Sequence, residues 1–222
     1  MREISSNVDT LNTVMRDLGG LYYRTRSAII LTQINSQVDD VFVVFGDSIV
    51  EQMYYPATLG HNVVNTGISG AKALESLPFL EKVLAASRGP LVVLSIGAND
   101  AFGASVASPE RFAEGYAALA KAVLDSGRAL VVATLPPMEP GKFEAENFHH
   151  ASIPAYNERI REIGRRLGAQ VADVSAVLEG WRKGRPQGAT VDGVHLNAQA
   201  ATVWRDTVYA AVKNALEAGQ KP

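Results

Sequence analysis

The chain has 222 residues, 47% of them hydrophobic and 20% charged, so it can bury the core of one globular domain or of two small ones at most. Its 21 Lys and Arg residues against 23 Asp and Glu residues give a formal net charge of −2, which leaves no basic field to attract nucleic acid or an anionic membrane. The absence of cysteine excludes disulfides, thiolate zinc sites and cysteine nucleophiles, and the possible histidine bases are only four: His61, His149, His150 and His195.

The N-terminal segment carries weak helical patterning over residues 8–36, interrupted at Gly19 and Gly20. We interpret residues 1–38 as a helical extension that packs on a single domain of residues 39–222. The chain begins without the basic stretch and apolar run of a secretory signal peptide, and no apolar stretch reaches the roughly 18 residues of a membrane span. We therefore expect a cytoplasmic protein with no stable membrane insertion.

Short apolar runs alternate with helix-period stretches along the rest of the chain. Most of the runs are continuously apolar, which is typical of strands buried on both faces of a parallel sheet. This alternation predicts an α/β fold, a doubly wound three-layer α/β/α sandwich around a five-stranded parallel sheet. The predicted strands are residues 41–45, 62–65, 91–96, 129–134 and 170–174.

Capping residues and apolar stripes predict the helices between these strands. Residues 71–86 also have a helical pattern, which Pro78 is expected to kink or split. The other helix boundaries are marked by Ser108 and Gly127, by Ser152 and Gly168, and by Asn197.

A serine follows the first predicted strand in the sequence Gly46-Asp47-Ser48. At a turn from strand to helix, the hydroxyl points into the crevice beyond the strand ends, and the backbone N–H lies where negative charge is favoured. This arrangement suits a nucleophile. The alternative is that Ser48 only caps the helix and that Asp47 only forms the turn. The turn matches neither the G-x-S-x-G elbow nor a phosphate-binding or dinucleotide-binding loop.

Hydrogen-bond donors follow the second and third predicted strands, in Thr66-Gly67-Ile68-Ser69-Gly70 and in Gly97-Ala98-Asn99-Asp100. Glycine lets a backbone N–H approach a ligand closely, and the Asn99 amide is a neutral donor. Together with the Ser48 N–H they can form an oxyanion hole, because the carboxyl ends of neighbouring parallel strands meet at one edge. Each of these loops taken alone is also ordinary turn chemistry.

The segment before the last predicted helix contains Asp192, Gly193 and His195. An aspartate three residues ahead of a histidine can turn back and accept its Nδ1 proton, which leaves Nε2 free to act as a base toward a serine. The segment is also compatible with a surface turn or with half of a metal site.

Two groups of residues in the longest predicted loops, 135–150 and 179–194, have less specific patterns. The pair His149-His150 beside Glu144 and Glu146 leaves a zinc site open, although no paired ligand spacing surrounds His195 and a position at the site entrance or in a solvated loop is the simpler interpretation. Charged and aromatic side chains before the Asp-His segment can contact a substrate or belong to a solvated loop, and these are Trp181, Arg182 and Arg185.

The serine block, the glycine after the second strand, the Gly-x-Asn-Asp block and the Asp-x-x-His segment occur here in order and in register with the predicted strands. The chain resembles the SGNH (GDSL-type) hydrolase family over roughly residues 40–215. This resemblance implies the sheet order 2-1-3-4-5. Ile49 stands where the family's first block often has leucine, which is a conservative difference.

The resemblance also implies the roles of the site residues. Ser48 would be the nucleophile, His195 the base and later the acid, and Asp192 the residue that orients His195. The oxyanion donors would be the N–H groups of Ser48 and Gly70 and the side chain of Asn99. Gly70 is preferred over Gly67 because Ile-Ser-Gly matches the family's second block, but Gly67 stays open.

From these residues we expect a serine esterase that hydrolyses short acyl esters, acetyl foremost, of a sugar or another small alcohol. It would need no cofactor and no metal, and its partner would be a small-molecule ester and not nucleic acid. Lysophospholipid, thioester and aryl-ester substrates stay open, as do an acyltransferase and a catalytically silent module that binds carbohydrate or lipid. The oligomeric state does not follow from the sequence.

Overall fold

The computed structural model describes residues 2–219, so the outer ends of the predicted segments 1–38 and 39–222 lie outside the described residues. It contains one sheet of five parallel strands in the order β2-β1-β3-β4-β5, which confirms the predicted fold class and sheet order. The continuously apolar strands β1 and β3 are buried along their whole length. The strands are β1 (Val41–Gly46), β2 (Asn62–Asn65), β3 (Leu91–Ser95), β4 (Ala129–Ala133) and β5 (Gln170–Ala172).

Helices cover both faces of this sheet and bury two separate apolar clusters. The larger cluster lies under α1, α3, α4 and α5, and the smaller one lies under α6 and α7, where Trp204 is fully buried. No helix among residues 2–219 is long and apolar enough to span a membrane. The helices are α1 (Arg2–Asn35), α2 (Ser48–Glu51), α3 (Leu77–Ala86), α4 (Pro109–Asp125), α5 (Ser152–Leu167), α6 (Val174–Trp181) and α7 (Ala198–Gly219).

The predicted helical stretch 71–86 is split just before Pro78, which was one of the two expected outcomes, and Pro78 does not kink a helix. The predicted helix over residues 71–86 consists of a single 3₁₀ turn, Ala73–Glu75, followed by α3, which has Pro78 in its first turn. The first backbone N–H groups of a helix have no partner within the helix, so proline loses nothing there. Pro78 is therefore compatible with the first turn of α3.

The N-terminal segment is one continuous helix, although its apolar pattern is interrupted at Gly19 and Gly20. Glycine weakens a helix by about 1 kcal/mol relative to alanine but keeps the backbone hydrogen bonds, so two glycines need not break it. Near its C-terminal end, Ile30 and Ile34 are buried in the larger cluster. Helix α1 packs against α3 and beside β2. The division into an extension and a domain stays a prediction.

The carboxyl ends of the strands meet at one edge of the sheet. Val44 of β1 lies opposite Asn65 of β2 and Val93 of β3, and Gly46 is paired with Ser95. Glycine is required at position 46, because a Cβ there would lie 2.2 Å from the Ser95 carbonyl oxygen. The residues that follow β1, β2 and β3 are thus brought together at this edge.

Candidate active site

Ser48, His195 and Asp192 form one chain of hydrogen bonds at the carboxyl edge of the sheet. The Oγ atom of Ser48 lies 2.9 Å from Nε2 of His195, and Nδ1 of His195 lies 2.6 Å from Oδ2 of Asp192. Both contacts are within hydrogen-bond range. With its Nδ1 proton donated to the carboxylate, the imidazole presents Nε2 as an acceptor to the serine hydroxyl.

The Asp192 carboxylate is fixed by its own turn. Its Oδ1 accepts the backbone N–H groups of Val194 at 3.0 Å and His195 at 2.8 Å, and Gly193 between them has a φ of +105°. Burial acts to raise the pKa of Asp192, but hydrogen bonds from the His195 ring and from these two N–H groups outweigh it and lower the pKa. The orienting residue is therefore held in its charged form.

Ser48 is the first residue of α2, and the residue that caps this helix is Asp47. Its Oδ1 accepts the N–H of Ile49 at 3.1 Å, so the alternative in which Ser48 is the cap does not occur. The hydroxyl of Ser48 faces His195 instead. The N–H of Ser48 lies at the start of this helix, where negative charge is favoured.

Asp47 also connects the serine turn to the loop after β3, a role that the sequence analysis missed. Its Oδ2 lies 3.3 Å from the backbone nitrogens of both Gly97 and Ala98, and the side chain is buried. Burial raises the pKa of Asp47 to about 6, although its hydrogen bonds oppose this shift. The position of Asp47, directly after a buried strand and before the serine, was the available signal.

The predicted oxyanion donors come from three neighbouring strand ends. The Asn99 amide donates to the Ala71 carbonyl at 3.1 Å, which leaves its second N–H for a ligand. Gly70 is exposed with a φ of +80°, and its N–H has no hydrogen-bond partner among residues 2–219. The N–H of Gly67 is already bonded to the Asn65 side chain at 3.0 Å. Of the two glycines, Gly70 is thus the one with a free donor.

Glu51 of α2 holds the segment that carries Gly70. Its Oε2 accepts the Ser69 N–H at 2.6 Å and the Ser69 hydroxyl at 2.7 Å. Its Oε1 pairs with Nε of Arg26 at 3.1 Å and accepts the hydroxyl of Tyr22, and both of these residues belong to α1. The N-terminal helix therefore contributes to the placement of a predicted donor. This cluster was not predicted from the sequence, because its members are spread over three segments.

Glu139 anchors the segment that carries Asp192. Its carboxylate accepts the N–H groups of Ala189 at 2.7 Å and Thr190 at 3.2 Å, the Thr190 hydroxyl, and the ammonium of Lys142 at 2.6 Å. Burial acts to raise the pKa of Glu139, but these hydrogen bonds outweigh it and lower the pKa to about 2.

The predicted loop 135–150 contacts two parts of the site, the Asp-His segment and the segment that follows Asn99. The N–H groups of Glu139 and Glu144 donate to the carbonyls of Gly193 and Asp192, at 2.9 and 3.0 Å. At its other end, Phe148 packs edge-to-face on Phe102, which follows the Asn99 block. The loop 135–150 therefore connects the Asp-His segment to the segment after β3 that carries Asn99.

The paired histidines of this loop make contacts within their own segment. Nδ1 of His149 lies 2.8 Å from the Ser152 hydroxyl, and Nε2 of His150 lies 2.6 Å from the Ala145 carbonyl. Within the described part of the chain, no group of three or more His, Asp or Glu side chains could hold a metal ion.

The residues Trp181, Arg182 and Arg185, which precede the Asp-His segment, contact nearby side chains. The Arg185 guanidinium lies 4.2 Å from the centre of the Trp181 ring. Arg182 pairs with Glu179 at 2.8 Å and approaches Glu139 at 3.6 Å. Their predicted contact with a substrate stays a prediction.

A three-layer α/β/α sandwich with a Ser-His-Asp chain of hydrogen bonds at the carboxyl edge of its sheet defines a hydrolase. Residues 44–203 match the model of the GDSL-like lipase/acylhydrolase family, and the chain belongs to this family. The predicted resemblance is thereby confirmed. A search among curated protein sequences finds no match to the chain.

Solved structures share this fold at low sequence identity. A Streptococcus pneumoniae structure named as a platelet activating factor has a TM-score of 0.76 and 18% identity, and the match covers 91% of this chain and 98% of that one. A lipase/acylhydrolase from Enterococcus faecalis has a TM-score of 0.65 and 19% identity, with 79% and 96% covered. An acetylxylan esterase from Geobacillus stearothermophilus has a TM-score of 0.65 and 17% identity, with 78% and 94% covered.

Proposed function

We propose that this hydrolase is a serine esterase that cleaves short-chain acyl esters, acetyl foremost, of a sugar or another small alcohol. The observation that carries the proposal is the Ser48–His195–Asp192 chain of hydrogen bonds, with distances of 2.9 and 2.6 Å. A serine is a weak nucleophile unless an adjacent base takes its proton, and His195 is placed to do so.

The reaction proceeds in two halves through an acyl-enzyme. The Oγ of Ser48 attacks the ester carbonyl while its proton passes to Nε2 of His195. The oxyanion accepts hydrogen bonds from the N–H groups of Ser48 and Gly70 and from the Asn99 amide. As the carbon–oxygen bond to the alcohol breaks, His195 protonates the departing oxygen. Water then attacks the acyl-enzyme, His195 takes its proton and returns it to Ser48, and the acid leaves.

The loops around Ser48 favour a short acyl group. The residues beside Asn99 are small, and Phe102 is the bulky exception, with 41% of its surface exposed. The long loop 135–150 is tied down by hydrogen bonds between Gly103 and Asn147 and between Glu144 and Asp192, which disfavours its opening as a lid over a fatty chain. The acetylxylan esterase among the structural neighbours is in keeping with an acetyl group.

A series of p-nitrophenyl esters from acetate to palmitate tests the proposal. We expect the wild type to prefer acetate, and we expect Ser48→Ala to lose hydrolysis of every ester, because the attacking oxygen is gone. The Tm should stay nearly unchanged, since the only side-chain hydrogen bond of Ser48 among the described residues is to His195. Intact-mass spectrometry after fluorophosphonate labelling should show one adduct on the wild type and none on the variant.

Ser36→Ala is the matched control, because Ser36 lies just beyond α1 and its hydroxyl donates, among residues 2–219, only to the nearby Gln33 carbonyl. Retained turnover in Ser48→Ala would rule out the acyl-enzyme mechanism. An activity maximum beyond eight carbons would leave the mechanism standing but overturn the preference for short acyl groups.

A further inference from the structure

A cavity of about 480 Å³ lies between α1 and the segment that carries Gly70. Its walls include Gly19 and Tyr23 from α1, and Ser69, Gly70, Lys72 and Glu75 from the facing segment. We propose that this cavity binds the alcohol moiety of the ester and that this moiety is hydroxylated, as a sugar is. This inference rests on the proposed esterase function, since it assigns one half of that substrate to a place.

The cavity adjoins the predicted oxyanion hole. Gly70, whose N–H is a predicted donor, forms part of its wall, and so does Ala71, whose carbonyl accepts the Asn99 amide at 3.1 Å. Because Gly70 is both a predicted donor and part of the cavity wall, one substituent of an ester whose carbonyl oxygen accepts the Gly70 N–H can extend into the cavity. The volume of the cavity lies within the usual range for small-molecule sites and is far larger than a two-carbon acyl group needs. The alcohol is therefore the substituent that fits.

The lining groups select for hydroxyls. The ammonium of Lys72 and the carboxylate of Glu75 have opposite signs, and Tyr23 adds a hydroxyl group. The Ser69 hydroxyl donates to Glu51 and can still accept a hydrogen bond. A fatty chain would remove these groups from water without replacing their hydrogen bonds, which is unfavourable. An anionic group would be attracted by Lys72 but repelled by Glu75. A neutral ligand with several hydroxyls can donate to one and accept from the other.

Gly19 gives an independent reason to regard the cavity as a binding site. Glycine inside a helix lowers helix stability relative to alanine, and helical backbone does not require it. Packing does not require it either, because a Cβ at Gly19 would have no atom within 4 Å. What glycine does at this position is leave the helix wall of the cavity open. A larger side chain there would fill space that the ligand needs.

Filling the cavity tests the inference. We compare the wild type with Gly19→Leu and with the control Gly20→Leu, whose position does not line the cavity. The substrates are 6-O-acetylglucose, whose large alcohol moiety keeps its other hydroxyls free, and ethyl acetate, whose alcohol moiety is small. We expect Gly19→Leu to lower the ratio of kcat/KM for 6-O-acetylglucose to that for ethyl acetate by about tenfold, through a higher KM. Gly20→Leu should leave the ratio unchanged.

Binding of 6-O-acetylglucose to Ser48→Ala protein, measured by calorimetry with and without Gly19→Leu, separates the two proposals. In one outcome, the wild type hydrolyses neither acetate, and Gly19→Leu abolishes binding to the Ser48→Ala protein. This outcome would support the cavity as a binding site and overturn the proposed esterase function. Turnover of both acetates with a ratio that Gly19→Leu does not change would overturn the cavity and keep the esterase. An equal loss in Gly20→Leu would assign the effect to the helix and also overturn the cavity.

Discussion

The two N–H groups of the Asn99 side-chain amide have different roles, one structural and one as a predicted oxyanion donor. One N–H is used on the Ala71 carbonyl, which ties the loop after β3 to the segment after β2. The other N–H is available to a developing oxyanion. A neutral donor that is fixed by a second hydrogen bond loses little on reorganisation when charge develops, which is how preorganised donors accelerate a reaction.

Asn99→Ala should therefore slow the chemical step more than it weakens binding. We expect kcat to fall by about 10²–10³ with a smaller change in KM for p-nitrophenyl acetate, because the lost donor acts mainly on the transition state. Asn62→Ala is the matched control, since Asn62 lies at the opposite edge of the sheet and contacts Gln37. Steady-state kinetics would exclude Asn99 from the oxyanion hole if kcat stayed at the wild-type value.

At the residue scale, the sequence located the groups that carry chemistry better than those that hold them. Ser48 and the Asp192–His195 pair were predicted from their positions after a strand and before a helix, and the structure brings them into contact. Asp47 and Glu51 were missed. The Glu51 partners, and the Gly97 and Ala98 N–H groups that bind Asp47, belong to distant segments. The position of Asp47 between a buried strand and the serine was the one signal in the sequence.

At the scale of elements, α1 is connected to the site through Glu51. Its Tyr22 and Arg26 side chains hold one oxygen of this carboxylate, and Ser69 binds the other. Arg26 also donates to the Gly67 carbonyl at 3.1 Å. Removing the charge at position 51 would thus loosen the segment that presents the Gly70 N–H while leaving Ser48 and its histidine untouched.

We expect Glu51→Gln to lower kcat by about ten- to a hundredfold with little change in KM, since a small displacement of a group in the site has an effect of this size. An amide must also turn its NH₂ toward one set of donors, so the substitution cannot preserve all contacts. Glu81→Gln, on the exposed side of α3, is the matched control. Fluorophosphonate labelling of Ser48 should slow in parallel with kcat, and an unchanged labelling rate would assign Glu51 a purely structural role.

The boundaries of strands and helices show which elements a local sequence pattern is sufficient to predict. The five strands were predicted correctly because parallel strands with helices on both faces need continuous apolar runs. The helical stretch near Pro78 was expected to be kinked or split, and the structure shows the split; a helical pattern alone does not distinguish a 3₁₀ turn followed by a helix from one kinked helix. The continuous α1 was not predicted because its stability depends on packing against α3, which the local pattern does not contain.

At the scale of the whole molecule, two buried carboxylates affect acid stability in opposite directions. The pKa of Glu139 is lowered from 4.5 to about 2, so its contribution to stability is present above pH 4.5 and is lost as the pH falls toward 2. The pKa of Asp47 is raised from 3.8 to about 6, so this residue favours the folded state at low pH, and that contribution is lost as the pH rises through 6.

Glu139→Gln should flatten the acid side of the stability curve. We expect the Tm of the variant to lie below that of the wild type at pH 6, and the difference to shrink as the pH falls from 4.5 toward 2, because the wild type loses the charge that the variant never has. Glu114→Gln, at an exposed position of α4, is the control. Thermal unfolding followed by circular dichroism at intervals between pH 2 and pH 6 measures the difference. Parallel curves for variant and wild type would contradict the prediction.

The hydrogen bond between Ser48 and His195 joins residues that are 147 positions apart in the chain. A ribosome makes the serine early and the histidine near the end, so the two cannot meet until nearly all of the protein has been synthesised. Every strand of the sheet lies between them or just before them, and parallel strands pair slowly because their contacts are distant in sequence. A nascent or truncated chain that stops before residue 195 would therefore carry an unactivated serine. Hydrolytic activity would appear only after His195 has been synthesised and the fold is complete.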